Sequence, residues 1–104
     1  MLARRFRLPI KEFRNQPKKV ISTPIFLVKF SNNSLGYNRF GVIISNKIVN
    51  SAVRRNYWKR RIVHGIELWP KIGCDVLFTA NPGLDEVSKD KLKTEIEKIL
   101  TKIK

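Results

Sequence analysis

Apolar positions along the chain follow two spacings, one suited to strands and one to helices. Ile25-Phe26-Leu27-Val28-Lys29-Phe30 is rich in β-formers and too short for a helix, which predicts a buried strand. Arg39-Phe40-Gly41-Val42-Ile43-Ile44-Ser45 predicts a second, with Phe40, Val42 and Ile44 on one face. Cys74 to Ala80 predicts a further strand, and Val20-Ile21-Ser22-Thr23 a shorter one closed off by Pro24. From Asn50 the period lengthens. Asn50 or Ser51 can cap a helix running to about Leu68 and ended by Pro70, with Trp58, Ile62, Ile66 and Trp69 on one stripe that packs on a sheet. A last amphipathic helix, capped near Ser88, carries Leu92, Ile96, Ile99, Leu100 and Ile103 on its buried face.

Proline and glycine punctuate these segments. Pro9 leads into a short helix over about residues 10–16, and Pro17 stops it. The Asn-Asn-Ser-Leu-Gly cluster after Ser31 is turn chemistry with Gly36 available for positive φ, and Asn81-Pro82-Gly83 is another turn signal. The order helix, strands, helix, strand, helix predicts an α/β (α+β) sandwich, a small mixed sheet of about four strands packed with three helices. With 104 residues and no internal repeat or linker, the whole of 1–104 reads as a single domain.

That charge is the unusual feature. Lys and Arg number 22 against 8 Asp and Glu, a net of +14. Residues 1–66 hold 15 basic side chains and one acid, Glu12, while residues 67–104 hold seven of each, so the entire excess lies in the first two-thirds. Such a surface expects a polyanionic partner, nucleic acid first. No apolar run approaches the roughly 18 residues that span a bilayer, so no membrane partner is expected. The N-terminus lacks the apolar stretch of a secretory signal. Cys74 is the only cysteine, which excludes an intrachain disulfide and suits a reducing cytoplasm.

The densest motif is Arg54-Arg55-Asn56-Tyr57-Trp58-Lys59-Arg60-Arg61, five cations at the start of the long helix. Cations there oppose the helix dipole and repel one another, an arrangement that makes sense when a polyanion supplies the counter-charge. Arg55 and Lys59, one turn apart, can meet adjacent phosphates, and Asn56 offers donors and acceptors for a sugar or base edge. The competing reading, a merely solvated charged face, fits a lone basic run better than it fits this concentration of charge. Eight of the ten aromatics also precede residue 66. Phe26, Phe30, Phe40 and Trp58 lie on periodic apolar faces and read as core, whereas Phe13, among Lys11, Arg14 and Asn15, is the candidate for stacking on a base.

The inventory for self-contained chemistry is thin. A two-metal nuclease needs converging carboxylates and an acid/base ribonuclease needs two well-placed imidazoles or equivalents, but the basic part offers only Glu12, and His64 is the sole histidine. Asp75 reads as a strand-start residue with a local hydrogen bond, Asp85 as turn chemistry, and His64 as surface or packing. No Gly-rich phosphate loop is present. The chain reads as a binder with no catalytic residues and no metal site of its own.

The run from Arg39 through Ser45, Asn46-Lys47, Ala52-Val53 and Arg55-Asn56-Tyr57-Trp58-Lys59-Arg60 resembles the signature of the bacterial ribonuclease P protein component: R-x-G, S-K-K, A-V, then R-N-R-x-K-R. Asn46 stands where that family has its first Lys of a pair, Tyr57 where it has the last Arg of Arg-Asn-Arg, and Asn81 where an Arg is common. The resemblance implies a ribosomal-protein-S5-domain-2-like fold with a left-handed β-α-β crossover, against the usual hand. It implies that Lys47, Arg54, Arg55, Asn56, Lys59, Arg60 and Arg61 contact a catalytic RNA subunit. It implies also that Phe13, Arg14, Arg39 and Ser45 belong to a cleft for the single-stranded 5′ leader of precursor tRNA. The N-terminal cations Arg4, Arg5, Arg7 and Lys11 would add contacts. The expected partners are ribonuclease P RNA and precursor tRNA, with no DNA; Mg²⁺ is expected through the RNA subunit alone, and the RNA carries the endonucleolytic hydrolysis. A ribosomal-type structural RNA-binding protein explains charge and size equally well, but not the joint strand, spacer and helix motif.

Overall fold

The computed structural model describes residues 4–14 and 18–103. A 3₁₀ turn at Arg4–Phe6 precedes the short helix α1 (Ile10–Phe13), then β1 (Lys19–Ser22), β2 (Phe26–Asn32), β3 (Arg39–Ile43), α2 (Ala52–Ile66), β4 (Cys74–Ala80), a 3₁₀ turn at Pro82–Glu86, and α3 (Lys89–Ile103). The expected first helix is shorter than its sequence signal: it ends at Phe13 with Arg14 as C-cap, and Asn15 and Pro17 lie outside the described residues. The strand expected to reach Ser45 ends at Ile43, because Ser45 begins a turn whose carbonyl accepts from the N–H groups of Ile48 and Val49.

The four strands form one mixed sheet in the order β1-β2-β4-β3. β2 pairs antiparallel with β1 and β4, while β3 lies parallel to β4 with Arg39 opposite Asp75 and Val42 opposite Phe78. The parallel pair is joined through α2, as a β-α-β unit requires. Strand alternation then decides which residues meet the helices. Phe26, Val28, Phe40, Cys74, Val76, Phe78 and Ala80 join Trp58, Ile62 and Ile66 of α2 and Leu92, Ile96 and Ile99 of α3 in one buried cluster. Trp69, beyond the end of α2, completes the expected stripe by packing edge-on against Phe40 at 5.4 Å between ring centroids.

The opposite face carries a second, smaller cluster in which Leu8 and Phe13 pack on Leu77, with Ile10 and Ile43 alongside. Gly41 lies beneath this contact. A Cβ there would sit 3.0 Å from Leu77 Cδ1, so the tip of Leu77 would have to give by a few tenths of an ångström, and at ordinary contact distance, 3.5 Å, from Leu8 Cβ and Ile10 Cγ1. Gly36 takes φ +78 in its turn, the left-handed conformation that glycine adopts without cost.

Polar groups inside the fold are tied across long sequence distances. Arg39 donates through Nε and Nη2 to the two oxygens of Asp75, at 2.8 and 2.7 Å, and Asn33 Nδ2 adds 2.9 Å to Oδ1. The Asp75 side chain is only 2% exposed, and its bond to Arg39 holds the guanidinium above its already high ordinary pKa. The sequence reading of Asp75 as a local hydrogen-bonding residue is thus corrected: its partner lies 36 residues away. Asn38, also buried, donates to the Pro70 carbonyl and accepts from the N–H groups of Ile72 and Cys74, fixing the α2–β4 connection. Burial pushes the Cys74 thiol up to about 11 from an ordinary 9.0.

Two outcomes follow from this interior. Arg39→Met leaves a buried carboxylate without its counter-ion and is expected to cost about 3–5 kcal/mol in urea unfolding; an unchanged midpoint would show that the pair is not structural. Because the folded thiol pKa is raised, its contribution to stability is present below about pH 9 and fades as pH rises through about 11. Iodoacetamide at pH 8 should therefore leave native Cys74 unmodified and alkylate it only after denaturation.

Candidate nucleic-acid interface

Helix α2 begins at a well-formed cap. Ser51 Oγ accepts from the N–H of Arg54, and no acidic residue occupies the first turn. The missing acid is supplied from elsewhere. Asp85, in the 3₁₀ turn after β4, accepts from Arg54 Nε at 3.0 Å, from Arg54 Nη2, and from the indole Nε1 of Trp58 at 3.1 Å. One carboxylate thus binds residues i and i+4 of α2, offsetting the dipole and the first cation together. The Trp58 hydrogen bond, then Arg54, holds the Asp85 carboxyl below its ordinary value of 3.8. Asp85 is more than turn chemistry, and Arg54, expected to face RNA, is already paired.

The remaining cations of α2 differ in their commitments. Arg55 donates through Nη1 to the Val49 carbonyl at 2.8 Å, which braces the loop before the helix. Arg61 lies over the Tyr57 ring, 5.4 Å from its centroid. Lys59 and Arg60 are exposed. Asn56, Arg60 and His64, at i, i+4 and i+8, form an outward ridge with a groove on either side. One groove, of about 580 Å³, runs between α2 and the β3 edge and adds Arg7, Lys59, Val63 and the acidic Glu67 to that ridge. Arg7 reaches it because residue 7 forms a parallel bridge with Phe40, which lays the N-terminal segment along β3. Arg7 and Lys59, far apart in sequence, therefore line one concavity. The other groove, of about 670 Å³, is lined by Val53, Tyr57 and Arg61 beside the ridge. His64, read as surface or packing, is exposed and lines both.

Of the residues expected to form a leader cleft, Phe13 and Arg39 are engaged within the fold, while Arg14 and Ser45 are exposed. Phe13 is 1% exposed, its ring packed inward on Leu8 and Leu77 with the Lys18 ammonium 4.8 Å from its centroid, so it has no free face for a base. The reason is apolar packing: Phe13 lies on the inner side of α1, in one cluster with Leu8, Leu77, Ile10 and Ile43. Arg39 is engaged by Asp75, as described above, and is a structural residue. Ser45 is exposed in the β3–α2 loop with Lys47, past the end of the strand. Lys11 and Arg14 are exposed on α1 and its C-cap. Arg5 is exposed beside Phe6, whose ring meets Tyr37 edge-on at 5.5 Å; the Arg4 side chain lies outside the described residues. Alternation places Val20, Leu27 and Lys29 on the same face of the sheet as α1, with Val20 56% exposed. No sequence signal marked the Asp85–Arg54–Trp58 or Arg39–Asp75 links, since each joins segments about thirty residues or more apart.

A cationic helix pinned by its apolar side to a small mixed sheet, with grooves along both flanks, defines a small basic α+β protein. Comparison with known proteins makes the class specific. The model of the Ribonuclease P family matches residues 9–104. Similar proteins include the ribonuclease P protein components of Marinobacter nauticus, 34% identical over 76% of this chain and 61% of its own length, and of Synechococcus elongatus, 35% identical over 79% of this chain and 74% of its own. Against the first of these, the chain spans under two-thirds of the relative's length. Among solved structures, the Staphylococcus aureus RNase P protein superposes with a TM-score of 0.84 at 21% identity, covering 95% of each chain. The Thermotoga maritima RNase P protein gives 0.78 at 22% identity, covering 94% of this chain and 97% of its own, so the fold is shared. The chain belongs to the ribonuclease P protein component family.

The Asp85 link makes a pH signature. A carboxyl held below its ordinary value contributes stability that is present above the unfolded pKa and is lost as pH falls through the folded one. Trp58 emission, read in a Trp69→Phe background, should stay constant from neutrality to about pH 4 and change only below it. Asp85→Asn should change that emission already at neutral pH. A transition in the wild-type link above pH 5 would show that Asp85 does not hold the indole.

Proposed function

We propose that this chain is the protein subunit of a ribonuclease P ribonucleoprotein, acting as one RNA-binding domain that holds the catalytic RNA on the outward face of α2. The observation that carries this reading is the pairing pattern on that helix. Asp85 is spent on Arg54 and Trp58, and Glu67 lies at the far end of α2 in the groove that Arg7 also lines, while Lys59 and Arg60 stand exposed on the outward side of the helix. Exposed cations along a concavity favour a phosphate backbone, whose counterions are released as Lys and Arg replace them. Arg60 on the ridge suits bidentate phosphate contact, and Asn56 one turn before it suits a sugar or base edge.

Substrate contact belongs, in this reading, to the other face. The single-stranded 5′ leader of precursor tRNA runs beside α1, past Lys11 and Arg14 and over the sheet surface that carries Val20 and Lys29. By screening two polyanions from each other, the protein lowers the Mg²⁺ needed for cleavage; the RNA subunit binds that Mg²⁺ and performs the hydrolysis. Asp75 and Asp85, acids brought near the basic part by the fold, are both committed to ion pairs, which supports a role in binding over one in proton transfer.

Reconstitution with a bacterial ribonuclease P RNA and a precursor tRNA at low Mg²⁺ tests the proposal: the chain should stimulate 5′ cleavage. Lys59→Ala and Arg60→Ala should each weaken assembly with that RNA and flatten the log-affinity against log-salt slope by about 1. Tight binding without stimulation would assign the chain to structural RNA binding instead, and an unchanged salt slope in the double variant would remove the interface from α2.

A further inference from the structure

Tyr57 stands inside the basic helix where the related family signature carries a further Arg, and the structure gives it surroundings that a phosphate contact does not need. Tyr57 is 39% exposed. One edge is fixed by Trp58, the ring centroids 5.1 Å apart at 78°, and Trp58 is itself anchored in the core and bonded to Asp85. The guanidinium of Arg61, one turn on, lies over the ring. Ring and guanidinium together line the groove of about 670 Å³ that also holds Val53 and Asn56. This is a preorganised stack, two planar groups held on a rigid helix with an amide of both hydrogen-bonding senses beside them. Unpaired bases are taken up by such groups: aromatic rings and Arg planes stack on them, and an amide reads a base edge.

We propose that the Tyr57–Arg61 pair binds one unpaired base of the partner RNA, with Asn56 at its edge and Arg60 on a neighbouring phosphate. The partner strand is therefore single-stranded or bulged where it crosses this side of α2. The inference rests on α2 being the RNA face and adds what that face recognises. It also relocates the stacking role that the sequence suggested for Phe13, whose ring is buried, to an aromatic that is exposed.

A stacking contact and a phosphate contact separate by salt. In titrations of the full chain with ribonuclease P RNA, Tyr57→Leu is expected to lose roughly tenfold or more in affinity at every salt concentration with the slope unchanged, and Tyr57→Phe to stay close to wild type. Lys59→Ala should lose slope instead. Thermal unfolding of each variant checks that the helix is intact. In a second measurement, a short single-stranded uridine-rich RNA bearing one 2-aminopurine should be quenched on saturation by the wild type and by Tyr57→Phe, but not by Tyr57→Leu. Wild-type affinity of Tyr57→Leu for the large RNA, a flattened slope in that variant, or equal quenching of the short RNA by all three proteins overturns the stacking site. Failure of the wild type to bind ribonuclease P RNA, with the quenching difference retained, would overturn the assignment of partner while leaving the base-binding pair in place.

Discussion

The structure depends on the burial of one stripe of α2. Trp58, Ile62 and Ile66 are each at most 5% exposed against the sheet, and Trp69 continues the contact into Phe40 and Phe78. Free of that anchorage, a helix with five cations at its start and no acid in its first turn would be a poor helix. Apolar burial of this size, on the order of 2 kcal/mol per large side chain, outweighs repulsion among exposed charges, which is screened by water and salt. The same burial fixes direction: with the apolar stripe inward, Asn56, Arg60 and His64 must form the outward ridge.

The acids of the last third then sort the cations of the first two-thirds. Asp75 takes Arg39 into the interior and sets β3 against β4; Asp85 takes Arg54 and ties the turn after β4 to α2. Both pairings convert a cation into part of the framework. Among the described residues, Lys59 and Arg60 are left exposed on α2 outside both pairings. The family assignment and this electrostatic pattern agree without depending on each other, since one comes from sequence similarity and the other from which side chains meet.

The two faces of the sheet are covered differently. On the helical face, α2 and α3 bury a continuous core. On the other, only Leu8, Ile10 and Phe13 come down, and they do so where Gly41 leaves room above Leu77. The R-x-G element of the sequence thus has a packing meaning: its Arg pairs with the neighbouring strand and its Gly lies beneath the N-terminal helix.

Much of this was legible before any coordinates. Hydrophobic period, turn residues and caps located the four strands and the two long helices, and the extent of β4 and the Ser51 cap agreed with the pattern, because local spacing and backbone chemistry decide such features. Charge partition along the chain pointed to a polyanion, since net charge needs no fold to be counted. What the sequence could not show was partnership. Phe13 and Tyr57 are both aromatic residues among cations, yet one is buried and the other exposed; Arg39, Arg54 and Arg60 are the same residue type, yet two are bound to aspartates and one is open. Those distinctions arise from contacts between segments thirty or more residues apart, which only the closing of the sheet and the seating of α2 bring within reach of one another.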